Sequence, residues 1–262
     1  MEKSTFIGLA LGLISVFVGM AIKGASLSSL INPAAYLIIF GGTAASLFIG
    51  FPMNEISRFP KLLKVAFFGQ PLTPKTEIIK MFVGWATTSR REGLLALESS
   101  VEEIKEPFLK NGMRMIIDGN DQDFVHDVLM EELHAIEDRH KLGAQIFTQA
   151  GTYAPTLGVL GAVIGLIAAL GNLSDIDKLG YSIAAAFVAT LLGIFAGYVL
   201  WHPIANKLKR LSKQEIEMKT MMVEGLLSIQ SGVSTIAINQ KLSVYLTPAE
   251  RAQGDKGDAA SE

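Results

Sequence analysis

The side chains able to do chemistry in this chain are few, and their spacing excludes more than it permits. There is no cysteine, which removes disulfides, thiolate metal sites and a cysteine nucleophile. Three of the four histidines lie in HDVLMEELHAIEDRH at 126–140. His126 and His134 are eight apart, and His134 and His140 are six apart. A helix-borne zinc pair needs the i,i+4 spacing of H-E-x-x-H, so no metal site is expected. There is no Walker loop, nucleophile elbow or Ser/His/Asp arrangement, and no enzyme is expected. The remaining cluster is Arg90-Arg91-Glu92 with Glu98 and Glu102. On one continuous helix Glu98 would stand ~80° from Arg90 and ~20° from Arg91. Glu98 and Glu102, as i,i+4 neighbours, would repel unless a base meets them. Such a face is either simply solvated or a docking surface for another protein.

The elements that carry these residues are dictated by where charge is missing. Hydrophobic residues make up 50% and charged residues 18%, greasier than the ~25% charge of soluble domains. Segments 4–22, 24–54, 142–174 and 179–206 contain no Asp, Glu, Lys or Arg, the second being apolar from about 33 to 51. A spanning helix needs ~20 apolar residues, so four transmembrane helices are expected, the third projecting beyond the bilayer. The first reads as a retained helix, because its apolar run exceeds a signal h-region and no A-x-A site follows.

Basic residues set the orientation. The outer turns carry only Lys23 and Lys178, whereas Arg58, Lys61, Lys64, Lys207, Lys209, Arg210 and Lys213 flank the other membrane ends. Both termini and the central segment are therefore expected in the cytoplasm of a multi-pass inner-membrane protein. The sequence predicts an all-α chain in five parts. A transmembrane hairpin at 1–54 precedes a cytoplasmic helical domain at 55–141, in which 77–105 reads as an amphipathic helix. A long transmembrane hairpin at 142–206, a helical tail at 207–251 and a disordered tail at 252–262 follow. A net charge of −2 speaks against a nucleic-acid partner.

The two hairpins differ in kind. In the third span Ala154, Gly158, Gly161, Gly165 and Ala168 share one helical face; in the fourth, Ala185, Ala189, Gly193 and Gly197 recur every four residues. Small stripes let helix backbones approach closely. They suit either an inner ring around a partner or pore, or ordinary packing within one four-helix unit. Thr156 and Thr190 lie near the stripes and could back-bond to a carbonyl four residues earlier or line a polar path. Pro155 removes the hydrogen bond to the residue-151 carbonyl and tends to kink its helix. Between 142 and 174 Tyr153 is the sole ionisable side chain; between 179 and 206 there are Tyr181, Tyr198 and His202. Proton carriers normally use an intramembrane Asp, Glu or His, so a proton path here needs a carboxylate from a partner.

These features resemble the MotA stator family of the bacterial flagellar motor over nearly the whole chain. The strings are RREGLLALE at 90–98, EDRH at 137–140, QAGTYAPTLGVLGAVIGL at 149–166, AAFVATLLGIFAGYVLWHP at 185–203 and NKLKR at 206–210. The resemblance implies a homo-oligomeric ring, five copies around two MotB-like subunits that bring the ion-binding Asp. Ion flow would turn the ring against the rotor protein FliG, with no cofactor beyond the transported ion. It implies that Arg90 and Glu98 match the rotor-contact pair. Pro155 matches the proline beside the partner's Asp, and Pro203 the proline ending the fourth helix. Sodium-type relatives look like PAFGMIGTLVGL, with Thr where this chain has Ala162. Thr190 matches a fourth-helix Thr found in both types. Loss of a hydroxyl ligand suited to Na⁺ points to protons. The competing expectations are an ExbB/TolQ-like energiser, whose usual layout has a single span before the cytoplasmic region, and a membrane scaffold without ion coupling.

Overall fold

A computed structural model describes residues 3–252, and the described residues form helices and turns with no strand. In chain order they are α1 (Lys3–Ile22), a 3-10 turn Leu27–Leu30, α2 (Pro33–Tyr36), a π turn Leu37–Gly41, α3 (Gly42–Gly50), α4 (Met53–Ile56), α5 (Phe59–Phe68) and α6 (Lys75–Glu92). A 3-10 turn Leu94–Leu97 leads to α7 (Glu98–Glu103), α8 (Pro107–Ile117), α9 (Gln122–Leu170) and α10 (Ile176–Phe195). A π turn Ala196–Trp201, α11 (His202–Gln230) and α12 (Thr235–Ser243) complete them. Four stretches are long and apolar enough to cross a membrane: Lys3–Ile22, Leu27–Gly50, and parts of Gln122–Leu170 and Ile176–Gln230. The tail expected at 252–262 lies, from 253 onward, outside the described residues.

The chain forms two compact units, one from residues up to 70 with 140–211, the other from 71–139 with the described part of 212–262. The first unit contains the membrane-length segments. Ala35, Ile39, Thr43 and Leu47, every four residues, bury one face of the second span. That face meets Ala154, Ala189 and Ala196 at one level and Ile146 and Ala150 at another. Trp201 borders both groups and a third around Phe147, Ile204 and Leu208, where Phe59 stacks on Phe147 with centroids 4.7 Å apart. Asn32 starts α2: its side-chain oxygen accepts from the Ala35 amide and its amide group donates to the Ala185 carbonyl, 3.3 Å away. One polar residue thus caps a helix and ties the first hairpin to the second.

The second unit has its own core, built on 3.6-residue periodicity. Ile78, Phe82 and Trp85 of α6, Phe108, Leu109 and Met113 of α8, and Val125, Leu129 and Leu133 of α9 meet Met218, Met221 and Leu226 of α11. Its ion pairs are specific. Lys219, 5% exposed, bonds Glu106 at 2.5 Å and sits 4.9 Å from the Phe108 ring centroid. Glu106 meanwhile caps α8 by accepting from the Leu109 amide at 2.7 Å. One carboxylate thus fixes where α8 begins and holds that start against α11.

The helix expected over 77–105 is not continuous. α6 stops at Glu92, and Gly93 takes φ +88, donating its amide to the Ser89 carbonyl. That left-handed conformation is open to glycine and strained for other residues. The chain then turns through 94–97 before α7 begins at Glu98. The angular relations expected among Arg90, Arg91 and Glu98 therefore do not hold.

Candidate functional site

The small-residue stripes of the third and fourth spans face each other within a single chain. A Cβ on Gly158 would stand 2.9 Å from the Ala189 carbonyl oxygen and 2.9 Å from Gly193 Cα. One on Gly193 would stand 2.7 Å from the Ala154 oxygen; one on Gly165 would meet Ala186 Cβ at 2.9 Å, and one on Gly161 would meet Ala189 Cβ at 3.1 Å. The two helices lie in close contact along about three turns. Of the two arrangements left open by the spacing, the contacts inside one unit account for these glycines. Ala168 is exposed and Ala169 is buried, while Ala185 is half-buried and offers its carbonyl to Asn32.

Pro155 lies inside α9, which runs through it. Having no N–H, it leaves the Gly151 carbonyl without its i+4 donor. That oxygen faces Gly197: a Cβ there would meet it at 2.7 Å and Pro155 Cγ at 2.6 Å. Gly197 belongs to the π turn Ala196–Trp201, and turns of this kind concentrate at functional sites. One turn on, the His202 ring covers Gly151, 2.7 Å from where a Cβ would be, and Tyr198 lies beside His202 with centroids 5.4 Å apart. The proline-disturbed turn of one helix thus sits against the widened turn of the next.

The hydroxyls make a ladder. Thr148 donates to the Ala144 carbonyl, Thr152 to Thr148 and Thr156 to Thr152, at 3.2, 3.1 and 3.3 Å. Thr152 and Thr156 are exposed in the isolated chain. Thr190 is half-buried and bonds its own Ala186 carbonyl at 3.5 Å, so no hydrogen bond joins it to Thr156. Ala162 is half-buried. Pro203 lies apart from the Pro155 contacts, in the wall of a cleft shared with α1. Two features of this region escaped the sequence reading. The π turn leaves no signature in residue types, whereas the i,i+4 spacing of Thr148, Thr152 and Thr156 was visible and went unused.

In the second unit Arg90 lies in the last turn of α6 and Glu98 opens α7; both are exposed and neither makes an ion pair among the described residues. Glu102 differs. Lys110 reaches it at 2.9 Å and Arg114 at 2.6 Å, and these two bases hold its carboxyl below the ordinary range, the Arg114 bond being the larger cause. The bases that relieve the Glu98–Glu102 pair come from α8. No cluster of His, Asp or Glu among the described residues could hold a metal.

Four membrane-length helices, the tight packing of a proline-bearing helix on its neighbour and an exposed hydroxyl ladder are the features of a polytopic membrane subunit. Comparison with known proteins agrees. Residues 100–221 match the MotA/TolQ/ExbB proton channel family and residues 6–93 the N-terminal region of motility protein A. Motility protein A of Bacillus subtilis is 54% identical over 260 residues, covering 99% of this chain and 96% of that protein. Chemotaxis protein PomA of Vibrio alginolyticus is 31% identical over 252 residues, covering 96% and 98%. The fold superposes with TM-score 0.91 and 54% identity on the flagellar MotAB stator complex from Bacillus subtilis, over 96% of this chain and 99% of that one. The chain belongs to the MotA family of flagellar-motor stator subunits.

Proposed function

We propose that this chain assembles, five copies around two MotB-like subunits, into a proton-conducting stator that works against the rotor protein FliG. The observation that carries the reading is the pairing of a polar but carboxylate-free face with a complete internal packing. Ala154, Gly158, Gly161 and Gly165 are occupied within the chain, while Thr152 and Thr156, beside Pro155, face outward. An ion passing that face needs a carboxylate, and a partner helix supplies it. Pro155, Thr156, Ala162 and Thr190 border this path, and Pro203 ends the span. Ala162, in place of a hydroxyl, removes an oxygen ligand for sodium and favours protons. The chain sits in the cytoplasmic membrane with both termini inside, as its basic flanks require.

Each proton crossing ~150 mV releases about 3.5 kcal/mol, at ~2.3 kcal/mol per 100 mV. That is several times thermal energy and enough to bias a step of the ring. Arg90 and Glu98 deliver the step, since charges without an ion-pair partner among the described residues are available to a rotor surface. Two spans before the central segment favour this role over the three-span energiser layout.

The test is swimming of a stator-less cell given this chain and its cognate MotB-like partner. Swimming that ignores sodium and stops with a protonophore supports both the stator and the proton. Sodium dependence would keep the stator and overturn the reading of Ala162. No swimming with the partner bound would return the energiser and the scaffold.

A further inference from the structure

In segments 142–174 and 179–206 a single side chain, His202, is of the type that takes up and releases a proton near neutral pH. The path described above makes no use of it. His202 is half-buried, and its ring lies over Gly151. Cγ, Cδ2 and Nδ1 stand 2.7, 2.8 and 2.8 Å from where a Cβ on that glycine would be, which leaves Nε2 as the ring nitrogen farther from Gly151. Tyr198, one turn before His202, is 64% exposed.

The contacts fix which flank of the helix pair these rings occupy. Pro155 meets Gly197, Gly158 meets Gly193 and Gly165 meets Ala186, so the third and fourth spans run antiparallel. In an antiparallel pair of right-handed helices, residues one step beyond a contact position share a flank, and residues one step before it share the other. The second span fills the flank one step before. Its buried face packs with Ala150 and Ala196, which precede Gly151 and Gly197, and Tyr153 packs on that side as well. Thr152, Thr156 and Tyr198, one step beyond Gly151, Pro155 and Gly197, are exposed. His202, a turn on from Tyr198, continues this open flank. Its depth is also set. Gly151 is four residues, about 6 Å, from Pro155, and His202 is five residues, about 7.5 Å, short of Lys207, where the charge-free stretch ends.

We propose that His202 is the proton acceptor on the cytoplasmic side of the path, taking each proton from the partner's carboxylic acid and passing it to cytoplasmic water. The inference rests on the proton-conducting reading above and names the base that reading lacks. Thr148, Thr152 and Thr156 already donate their hydroxyl protons to backbone carbonyls, and a hydroxyl is not a base to which a carboxylic acid can discharge. An imidazole is. The O–H bond of the acid breaks and an N–H bond forms at Nε2, giving a carboxylate and an imidazolium. The imidazolium then releases that proton to water and the ring is neutral again. No electrons are exchanged.

The experiment places the unplugged complex of this chain and its MotB-like partner in liposomes under a potassium-diffusion potential. An enclosed dye reads proton flux above the leak of empty liposomes, and partner retention is measured alongside. His202→Gln keeps a polar side chain without a base, and His202→Ala clears the space over Gly151. Both should lower flux about tenfold or more with the partner retained, short of the ~10²–10⁴ of a proton-transfer residue because water substitutes in part. Imidazole should restore flux to His202→Ala severalfold. Pyrazole, a ring of the same size that does not take up a proton near neutral pH, should not. Full flux in His202→Gln would overturn the step and leave the proton reading standing. A loss that imidazole fails to relieve, or that pyrazole relieves equally, would make His202 a packing residue and overturn the step. Loss of the partner in both variants would do the same. Sodium flux without proton flux in the wild type would overturn the proton reading, and this step with it.

Discussion

At the scale of single residues, what a glycine touches decides what it is for. Gly193 and Gly180 both lie in α10, and helix propensity treats them alike. Yet a Cβ on Gly193 would sit 2.7 Å from a backbone oxygen, and one on Gly180 meets nothing within 4 Å. Gly193→Ala is expected to force the two helices apart and cost about 1–3 kcal/mol, the range for overpacking. Gly180→Ala should be neutral or stabilising by up to ~1 kcal/mol. Thermal unfolding of the purified complex checks both, and equal melting points would remove the packing argument. Pro155→Leu belongs to the other class. The leucine restores an amide donor to the Gly151 carbonyl and removes the ring that Gly197 faces. Membrane insertion and partner binding should survive while motility falls; loss from the membrane fraction would move Pro155 to a folding role. The stripes and the proline were legible in the sequence because small residues at helical spacing are a pattern. Which surface the stripes meet was not legible, since a chain packing on itself and a chain packing on a partner obey the same spacing. The close approach of Gly158 to Ala189 and Gly193 shows that the chain packs on itself at these positions.

At the scale of elements, the four spans were legible because missing charge is a one-dimensional signal, and the break in the amphipathic segment was not. Apolar residues on both sides of Gly93 continue the helical period, so periodicity alone ran α6 into α7. Gly93 at φ +88 interrupts it, and only a glycine-as-stop argument would have seen the turn. The ion pairs that anchor α7 and α8 carry two predictions. Lys219→Met leaves Glu106 partly buried beside Phe108 without its cation. The cost should be about 2 kcal/mol, below the ~3–5 of a fully buried pair because the Glu106 side chain keeps 24% of its exposure. Chemical denaturation should show it, and Glu106→Gln added to Lys219→Met should recover part of it. Glu102 gives a pH dependence. Its folded pKa is lowered by Arg114 and Lys110, so its contribution is present above the unfolded carboxylate pKa and is lost as pH falls through the lowered folded value. Hydrogen exchange in α7 should rise on acidification through that window. Glu102→Gln should remove the pH dependence, and an unchanged profile would assign it to another group.

At the scale of the whole molecule, the question is how a membrane event and a surface event are kept separable in one chain. The membrane-length segments and the core around Phe82, Phe108 and Met221 form distinct compact units, and α9 and α11 each contribute residues to both. Arg90 and Glu98 stand in the second unit, exposed and without ion pairs among the described residues. Reversing either charge therefore breaks no ion pair among the described residues, in contrast to Glu102, whose reversal would bring three positive charges together, its own with those of Lys110 and Arg114. Arg90→Glu and Glu98→Lys should accordingly leave the melting temperature within about 2 °C, as surface changes of under ~0.5 kcal/mol do. Proton flux through an unplugged complex should be unchanged, because none of the residues lining the proposed path is altered. Torque should fall by half or more, because a docking face recognises charge sign, and raised ionic strength should weaken the wild type toward the variants. Measuring melting, flux and swimming speed on the same variants separates the possibilities. Slow swimming with normal flux supports a rotor contact. A parallel loss of flux and speed would mean that these charges act on the channel instead, and would take the rotor-contact role away from Arg90 and Glu98.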